Sequence, residues 1–548
     1  MSEETSTRIG LLAEVSGDYF TARLITDNDQ QVAEAKLGEG GARSGQVGSY
    51  LAIHQAHSKI LVMVERSYRT ADRQGQAAHM VRITPVGEFN TNGDFVKGVS
   101  QFPNIGDEVY PVNFDELSSI FAKRENVEFK VGQLTAFSSV DVHLDASSFF
   151  GRHAAILGQS GAGKSWTVTS LLQSALRNMP NAHIVLLDMH GEYCDREIDG
   201  ASVKSPFAEH MVRSLNAQQA EFPYWMLTYS ELCDLIIDPD DADASLQTSY
   251  LRSIVIRLKQ EANAHLDLGH ITVDSPVYYP IDKFVDMIEK SNSETSDFGK
   301  KKSPLYGRFS QLLVRIDSLL NDTRYDFFMQ PKTRNSTESL TGLMKDIVGR
   351  GEPNASITVL DLSAVPFDVA PMVTAQIGRL VYEFNFWNPQ CREFPLFLVC
   401  EEAHEYIPRL EAPRYREARR VMERISKNGR KYGVGLCVVS QRPADVSETV
   451  LSQCSSYICL RISNPDDQKY VRSMVPEAAQ STFAALTSLA KGEAIALGEA
   501  VPMPSRFKVD IPNPPPNSTD VDYADKWRGG AVEISVEDVV HNWHKQLR

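Results

Sequence analysis

Residues 154–165 read AAILGQSGAGKS. Four apolar residues run straight into GQSGAGKS, which fits GxxxxGK[ST], and the helix-compatible SWTVTSLLQSAL follows from Ser165. Strand, glycine loop and helix in that order is the setting in which this pattern is a phosphate cradle and not a mere glycine turn. Gly158, Gly161 and Gly163 let the backbone turn its amides toward phosphate oxygens, which also meet the positive end of the helix dipole. Gln159, Ser160 and Ala162 fill the loop, and Trp166 follows it. Lys164 is expected to reach the β and γ phosphates and the Ser165 hydroxyl to ligate Mg²⁺. The expected ligand is ATP with Mg²⁺.

Outward from the loop, strand-like runs alternate with helical segments. HIVLLD (183–188), ITVLDL (357–362), LFLVC (396–400), VGLCVVS (434–440) and YICLRI (457–462) are short, bounded by turn residues and rich in Val, Ile and Leu. Such runs fit buried strands of a parallel sheet with helices on both faces, an α/β NTPase core over 141–205 and 351–510. Residues 206–350 change to longer amphipathic segments such as SYLRSIVIRLKQEANAH, read as a helical insertion. Residues 8–112 carry short runs separated by Gly, Asp and Asn, which suggests an antiparallel barrel or sandwich. FKVGQLTAF and VDVHLDA continue in strands, and the boundary of this first domain is expected near 140. In 511–548, IPNPPPNSTDVDYADKW is expected to hold no regular structure, because its prolines remove donors and fix φ; a strap on the core or on a neighbouring subunit is the reading.

An NTPase needs an acid on a neighbouring strand for the Mg²⁺ shell and a base to orient water. Strand ends offer Asp188, Asp361, and the pair Glu401 and Glu402. Only the last gives adjacent carboxylates after a run of apolar residues, so Glu401 is assigned to the Mg²⁺ water shell and Glu402 to polarising the attacking water. Gln441 ends the next strand, where a side chain can sense the γ phosphate.

At 548 residues, 42% hydrophobic and 23% charged, the chain has the composition of a globular protein of two to four domains. No long apolar run and no leader pattern is visible, so the expected place is the cytosol, away from membranes. Seven cysteines without a CxxC pair fit core packing, and histidines lack ligand spacing, so no structural metal is expected. A net charge of −15 argues against a nucleic-acid coat but leaves room for a ring with a basic channel and an acidic outside.

Together these segments resemble the HerA branch of the HerA/FtsK superfamily of ring-forming ATPases. The matching text is RHAAILGQSGAGKS, LLDMHGEY, ITVLDLS, LVCEEAHEY, ERISKNGRKYGVGL and SQRPADVSETVLSQCSSYICLRISNPDDQ, and the strand-rich N-terminal part looks like the family's HAS barrel. The resemblance implies a RecA-like core, a homohexamer with ATP between subunits, duplex DNA in the channel as in a translocase or helicase, and a neighbour's arginine at each site. Arg152 matches an arginine that relatives place near the nucleotide; Arg424 and Arg430 are candidates for the trans arginine, with Arg430 favoured. Asp188, His190 and Glu192 match an acid-rich turn expected beside the phosphate loop, whose plain alternative is a turn that caps the sheet. Relatives commonly carry Asp where this chain has Glu401, one methylene longer. Family members partner nucleases in DNA end processing, and bacterial relatives join nuclease or NAD-consuming effectors in antiphage defence; a ring that mainly assembles such an effector is the competing reading. Arg416, Arg420, Arg424 and Lys427 fall on one helical stripe that suits a subunit contact, a DNA contact or a solvated face. Lys300 to Lys302 form a candidate DNA contact whose default is a solvated loop.

Overall fold

The computed structural model describes residues 8–25, 45–55, 58–71, 77–112, 114–121, 128–198, 201–208, 212–296, 301–474, 483–518, 523–529 and 534–544. The chain divides into two units, one of Met1–Ala182, Arg392–Leu410 and Glu423–Pro515, the other of His183–Cys391, Glu411–Met422 and Pro516–Arg548.

In the first unit, strands Phe20–Leu24, Gly10–Val15, Glu108–Pro111, Tyr50–His54, Lys59–Ala71 and Ala77–Phe89 are neighbours in that order, and the last also pairs with the first. Six antiparallel strands thereby close into a barrel, with Phe95–Lys97 added beside Ala77–Phe89. Alternating side chains point inward, so Leu12, Leu24, Ile53, Val62 and Ile83 fill one core. Register shifts between Leu12 and Glu14 and between Val64 and Arg66 bend the strands as closure requires.

The same unit holds four parallel strands in the order Leu396–Cys400, Val434–Ser440, Ala154–Leu157 and Ser456–Cys459. Every residue in them is buried, which is why each reads as an unbroken apolar run. Antiparallel strands Glu493–Gly498, Ser505–Val509, Glu128–Leu134 and Asp141–Asp145 extend this sheet. FKVGQL and VDVHLD are therefore strands of the core sheet, and the barrel sheet ends with Glu108–Pro111, ahead of the boundary expected near 140. Helix Lys164–Asn178 follows the central phosphate-loop strand and is buried from Thr167 to Leu176. The proline-rich stretch lies along that helix: Asn513 N–H donates to Gln173 Oε1 at 3.0 Å and Gln173 Nε2 donates to the Pro514 carbonyl at 2.8 Å.

In the second unit, Val212–Asn216, Ile357–Asp361 and Ile184–Asp188 are parallel neighbours. Val212–Asn216 lies within the stretch read as helical insertion, so the helical part begins at Ala217. Its helices Tyr229–Ile236, Ala244–Ala262, Ile281–Ser293, Ser310–Leu320 and Ser339–Ile347 bury apolar stripes. Thr228 and Glu231 form a capping box, and Glu231 also takes the Arg379 guanidinium at 2.9 Å. Tyr523–Arg528 is helical where the sequence reading expected no regular structure. The fold is thus an α/β P-loop NTPase core with an N-terminal barrel and inserted helices.

Candidate nucleotide site

The loop after Ala154–Leu157 is fastened from behind. Gly158 N–H donates to the Ser440 carbonyl at 3.2 Å, Gln159 N–H to Arg461 O at 2.9 Å, and Gly492 N–H to Ala162 O at 3.2 Å. Gln159 Oε1 accepts the Ser463 N–H at 2.9 Å. A Cβ on Gly158 would stand 2.8 Å from the Leu460 Cβ, so this position needs glycine. Gly161 and Gly163 have φ of 73° and 104°, conformations that side chains disfavour. Ser160 and Gly161 are exposed, and Ser165 and Trp166 half-buried. Gly163 caps the helix without a side-chain bond, so the N–H groups of Lys164, Ser165 and Trp166, which no helical carbonyl precedes, stay available to an anion.

Lys164 is buried, with Nζ 3.9 Å from Glu402 Oε1. Glu401 and Glu402 are 5% and 7% exposed, just past Leu396–Cys400. Glu402 has φ 44°, a left-handed backbone that turns the chain sharply after the strand. The Tyr406 hydroxyl fixes this turn by donating to the Glu401 carbonyl at 3.0 Å; burial, with Cys400 and the two glutamates adding, holds that hydroxyl well above its usual pKa. Gln441 is half-buried immediately after Val434–Ser440, the strand between the other two. Phosphate loop, paired glutamates and Gln441 therefore meet at the finishing ends of three adjacent parallel strands.

Two residues that the sequence reading passed over belong here. His404 Nδ1 is 3.3 Å from Glu402 Oε2 and 3.3 Å from Ser440 Oγ. The signal was the short step from Glu402 to His404 within CEEAHEY, but the adjacency of two strands was needed to see its use.

The arginines lie elsewhere. Arg152 ends helix Ala146–Gly151, ahead of the strand whose far end carries the loop, and pairs with Glu499. Four strand residues put about 13 Å between those ends. Arg430, exposed in the turn Gly429–Tyr432, precedes Val434–Ser440 at the same starting edge. His153 beside it is buried, accepts the Leu436 N–H on Nδ1 at 3.0 Å, and is pushed down to about 4 by burial, with the Arg430 charge adding. Arg424 is exposed on helix Arg416–Asn428, on a stripe with Arg416, Arg420 and Lys427, opposite buried Ala418, Val421, Met422 and Ile425. Arg416 meets Asp234 at 3.3 Å, Arg420 Glu417 at 3.6 Å and Lys427 Glu423 at 3.7 Å.

In the second unit, buried Asp188 accepts the N–H groups of Glu192 and Tyr193, both at 2.9 Å, so its carboxylate closes its own turn. Burial, with Asp361 adding, raises it to about 6. His190 is exposed and Glu192 half-buried in that turn. Lys301 and Lys302 are exposed, Lys302 standing 4.3 Å over the Tyr306 ring; Lys300 lies outside the described residues. No described helix is long and apolar enough to cross a membrane.

The family model described as "Helicase HerA, central domain" matches residues 129–381, and "Helicase HerA-like C-terminal" matches 396–534. The chain belongs to the HerA family. Its curated HerA-type relatives include a probable helicase of Methanocaldococcus jannaschii, 27% identical over 526 residues, 91% of this chain and 93% of the relative. The DNA double-strand break repair helicase HerA of Sulfolobus acidocaldarius is 26% identical over 445 residues, 80% of each chain. Among solved structures, VirB4 of Thermoanaerobacter pseudethanolicus covers 71% of this HerA-family chain and 97% of its own at 19% identity and TM-score 0.45. The plasmid coupling protein TrwB with ADP and Mg²⁺ covers 73% and 93% at 15% identity and TM-score 0.43.

Proposed function

We propose that this HerA-family chain hydrolyses ATP with Mg²⁺ as one subunit of a homohexameric ring, and that the cycle moves duplex DNA through the channel. The observation that carries the reading is the buried approach of Lys164 to Glu402 beside an uncapped helix start, with Gln441 following the strand between theirs. The left-handed Gly161 and Gly163 leave room for phosphate oxygens, and a helix start without a capping side chain leaves charge unanswered, so the residues fit a nucleotide. Ser165 and Glu401 would hold Mg²⁺, which when bound neutralises charge between the β and γ phosphates. Lys164 draws the same charge, Glu402 accepts a hydrogen bond from the attacking water, and Gln441 reads the γ phosphate. Arg430, or Arg424 in the helix before it, acts on a neighbour's site; Arg430 precedes a core strand at the edge opposite the loop of its own copy, and Arg152 shares that edge.

A second reading is kept because the closed barrel has a core of its own and the chain is strongly acidic, features that suit docking of an effector such as a nuclease or an NAD-consuming enzyme, plausibly in antiphage defence or DNA end processing. The test is ATPase rate with and without linear duplex DNA, beside Lys164→Ala. Stimulation by DNA that the variant abolishes is the expected result. Hydrolysis indifferent to DNA, with a variant that still assembles and activates its partner, overturns the motor and favours the platform.

A further inference from the structure

The geometry points to His404 as a positioning residue that aims Glu402; this deepens the hydrolytic reading above and rests on it. Glu402 lies between two groups. On one side Lys164 Nζ is 3.9 Å from Oε1, too long for a hydrogen bond, and both side chains are buried, where attraction between opposite charges is strong. On the other side His404 Nδ1 is 3.3 Å from Oε2. The 3.3 Å approach is an ion-pair contact and not a formed hydrogen bond; an ionised carboxylate only accepts, so the bond that aims Glu402 requires the proton on Nδ1 and a small turn of the ring. The ring is itself placed by the neighbouring strand: Ser440 Oγ is 3.3 Å from the same Nδ1 and accepts the Arg442 N–H at 3.0 Å. The Ser440 carbonyl accepts the Gly158 N–H at 3.2 Å, so one residue touches both the phosphate loop and the histidine.

His404 holds the carboxylate back from Lys164. Without that tether, Glu402 closes on the lysine as a tight ion pair and leaves the position from which it would orient water. The lysine loses part of its charge to the phosphates, but the larger loss falls on turnover.

The test compares His404→Asn with His404→Leu, two side chains of nearly one shape. The asparagine amide places an N–H near the former Nδ1, and leucine has none. His404→Leu is expected to lower kcat roughly 10- to 100-fold, as loss of a supporting hydrogen bond does at other sites, with KM for ATP and ADP affinity near wild type. His404→Asn recovers most of the turnover. If His404→Leu does not fold, Ser440→Ala takes its place: it lowers kcat several-fold in the wild type and by a like factor in His404→Asn, whose amide keeps the contact to the Ser440 hydroxyl, and a Ser440→Ala protein with unchanged kcat overturns the assignment. Equal turnover in all variants, equal losses in Leu and Asn, or a change confined to KM overturns the assignment of His404 while wild-type hydrolysis leaves the ATPase reading standing. A wild-type protein that does not hydrolyse ATP overturns both.

Discussion

The two ends of the parallel strands in the first unit are built from opposite materials. At the finishing end the backbone does the work: left-handed Gly161 and Gly163, an uncapped helix start, and buried Lys164 and Glu402. At the starting end the side chains do it: exposed Arg430, Arg152 paired with Glu499, and a neutral buried His153 beneath them. The contrast teaches that a closed set of charges and a set reaching outward can sit on one sheet without neutralising each other, because the strands between them are dry and about 13 Å long or longer.

Lys164→Ala removes a buried cation at the finishing end and is expected to reduce both nucleotide binding and hydrolysis to background, measured by fluorescent-nucleotide titration and phosphate release. Arg430→Ala, at the starting end, should leave nucleotide binding intact and lower kcat about 10³-fold, as loss of a trans arginine does. Binding lost with it would place Arg430 in the fold of its own site and blur the contrast. Glu402→Gln keeps the shape of the finishing end and should lower kcat by about 10² with unchanged binding.

The smallest effect is one of stability. Burial holds folded His153 at about 4, below the ordinary 6.5 of a histidine, so the unfolded chain takes up the proton first as pH falls. Stability is therefore complete above 6.5 and is lost as pH falls toward 4. Between pH 7 and 5 the loss is about 2 kcal/mol by the usual conversion of pKa difference to free energy. His153→Asn, which keeps an acceptor for the Leu436 N–H, should remove that share of the pH dependence in denaturant melts; an unchanged slope contradicts a buried neutral histidine.

The finishing end was largely legible in the sequence, and the reason is that its demands are local. A phosphate loop needs glycines at fixed steps, a dry strand needs an unbroken apolar run, and both lie within a dozen residues of one another in AAILGQSGAGKS. Glu401 and Glu402 stood out because LFLVC ends on them. What was not legible depends on which strands become neighbours. His404 gains its role from Ser440, 36 residues away, only because Leu396–Cys400 pairs with Val434–Ser440. FKVGQL and VDVHLD alternate as barrel strands do, and nothing local says that the first pairs with Ser505–Val509 and the second with the first. Val212–Asn216 was missed for a different reason: VRSLN has two apolar residues and none of its residues is buried, so no apolar run marks it. The Asp188 turn was read with two meanings, and its bonds to Glu192 and Tyr193 give the capping one a physical basis.

In the proposed ring, the starting edge of one copy completes the finishing edge of the next. Mixing Glu402→Gln subunits with Arg430→Ala subunits tests it most directly, since each variant alone is nearly inactive. Rings verified to contain both are predicted to recover part of the wild-type ATPase rate, because some interfaces then pair an intact Glu402 with an intact Arg430. Mixed rings no more active than either parent would contradict the claim.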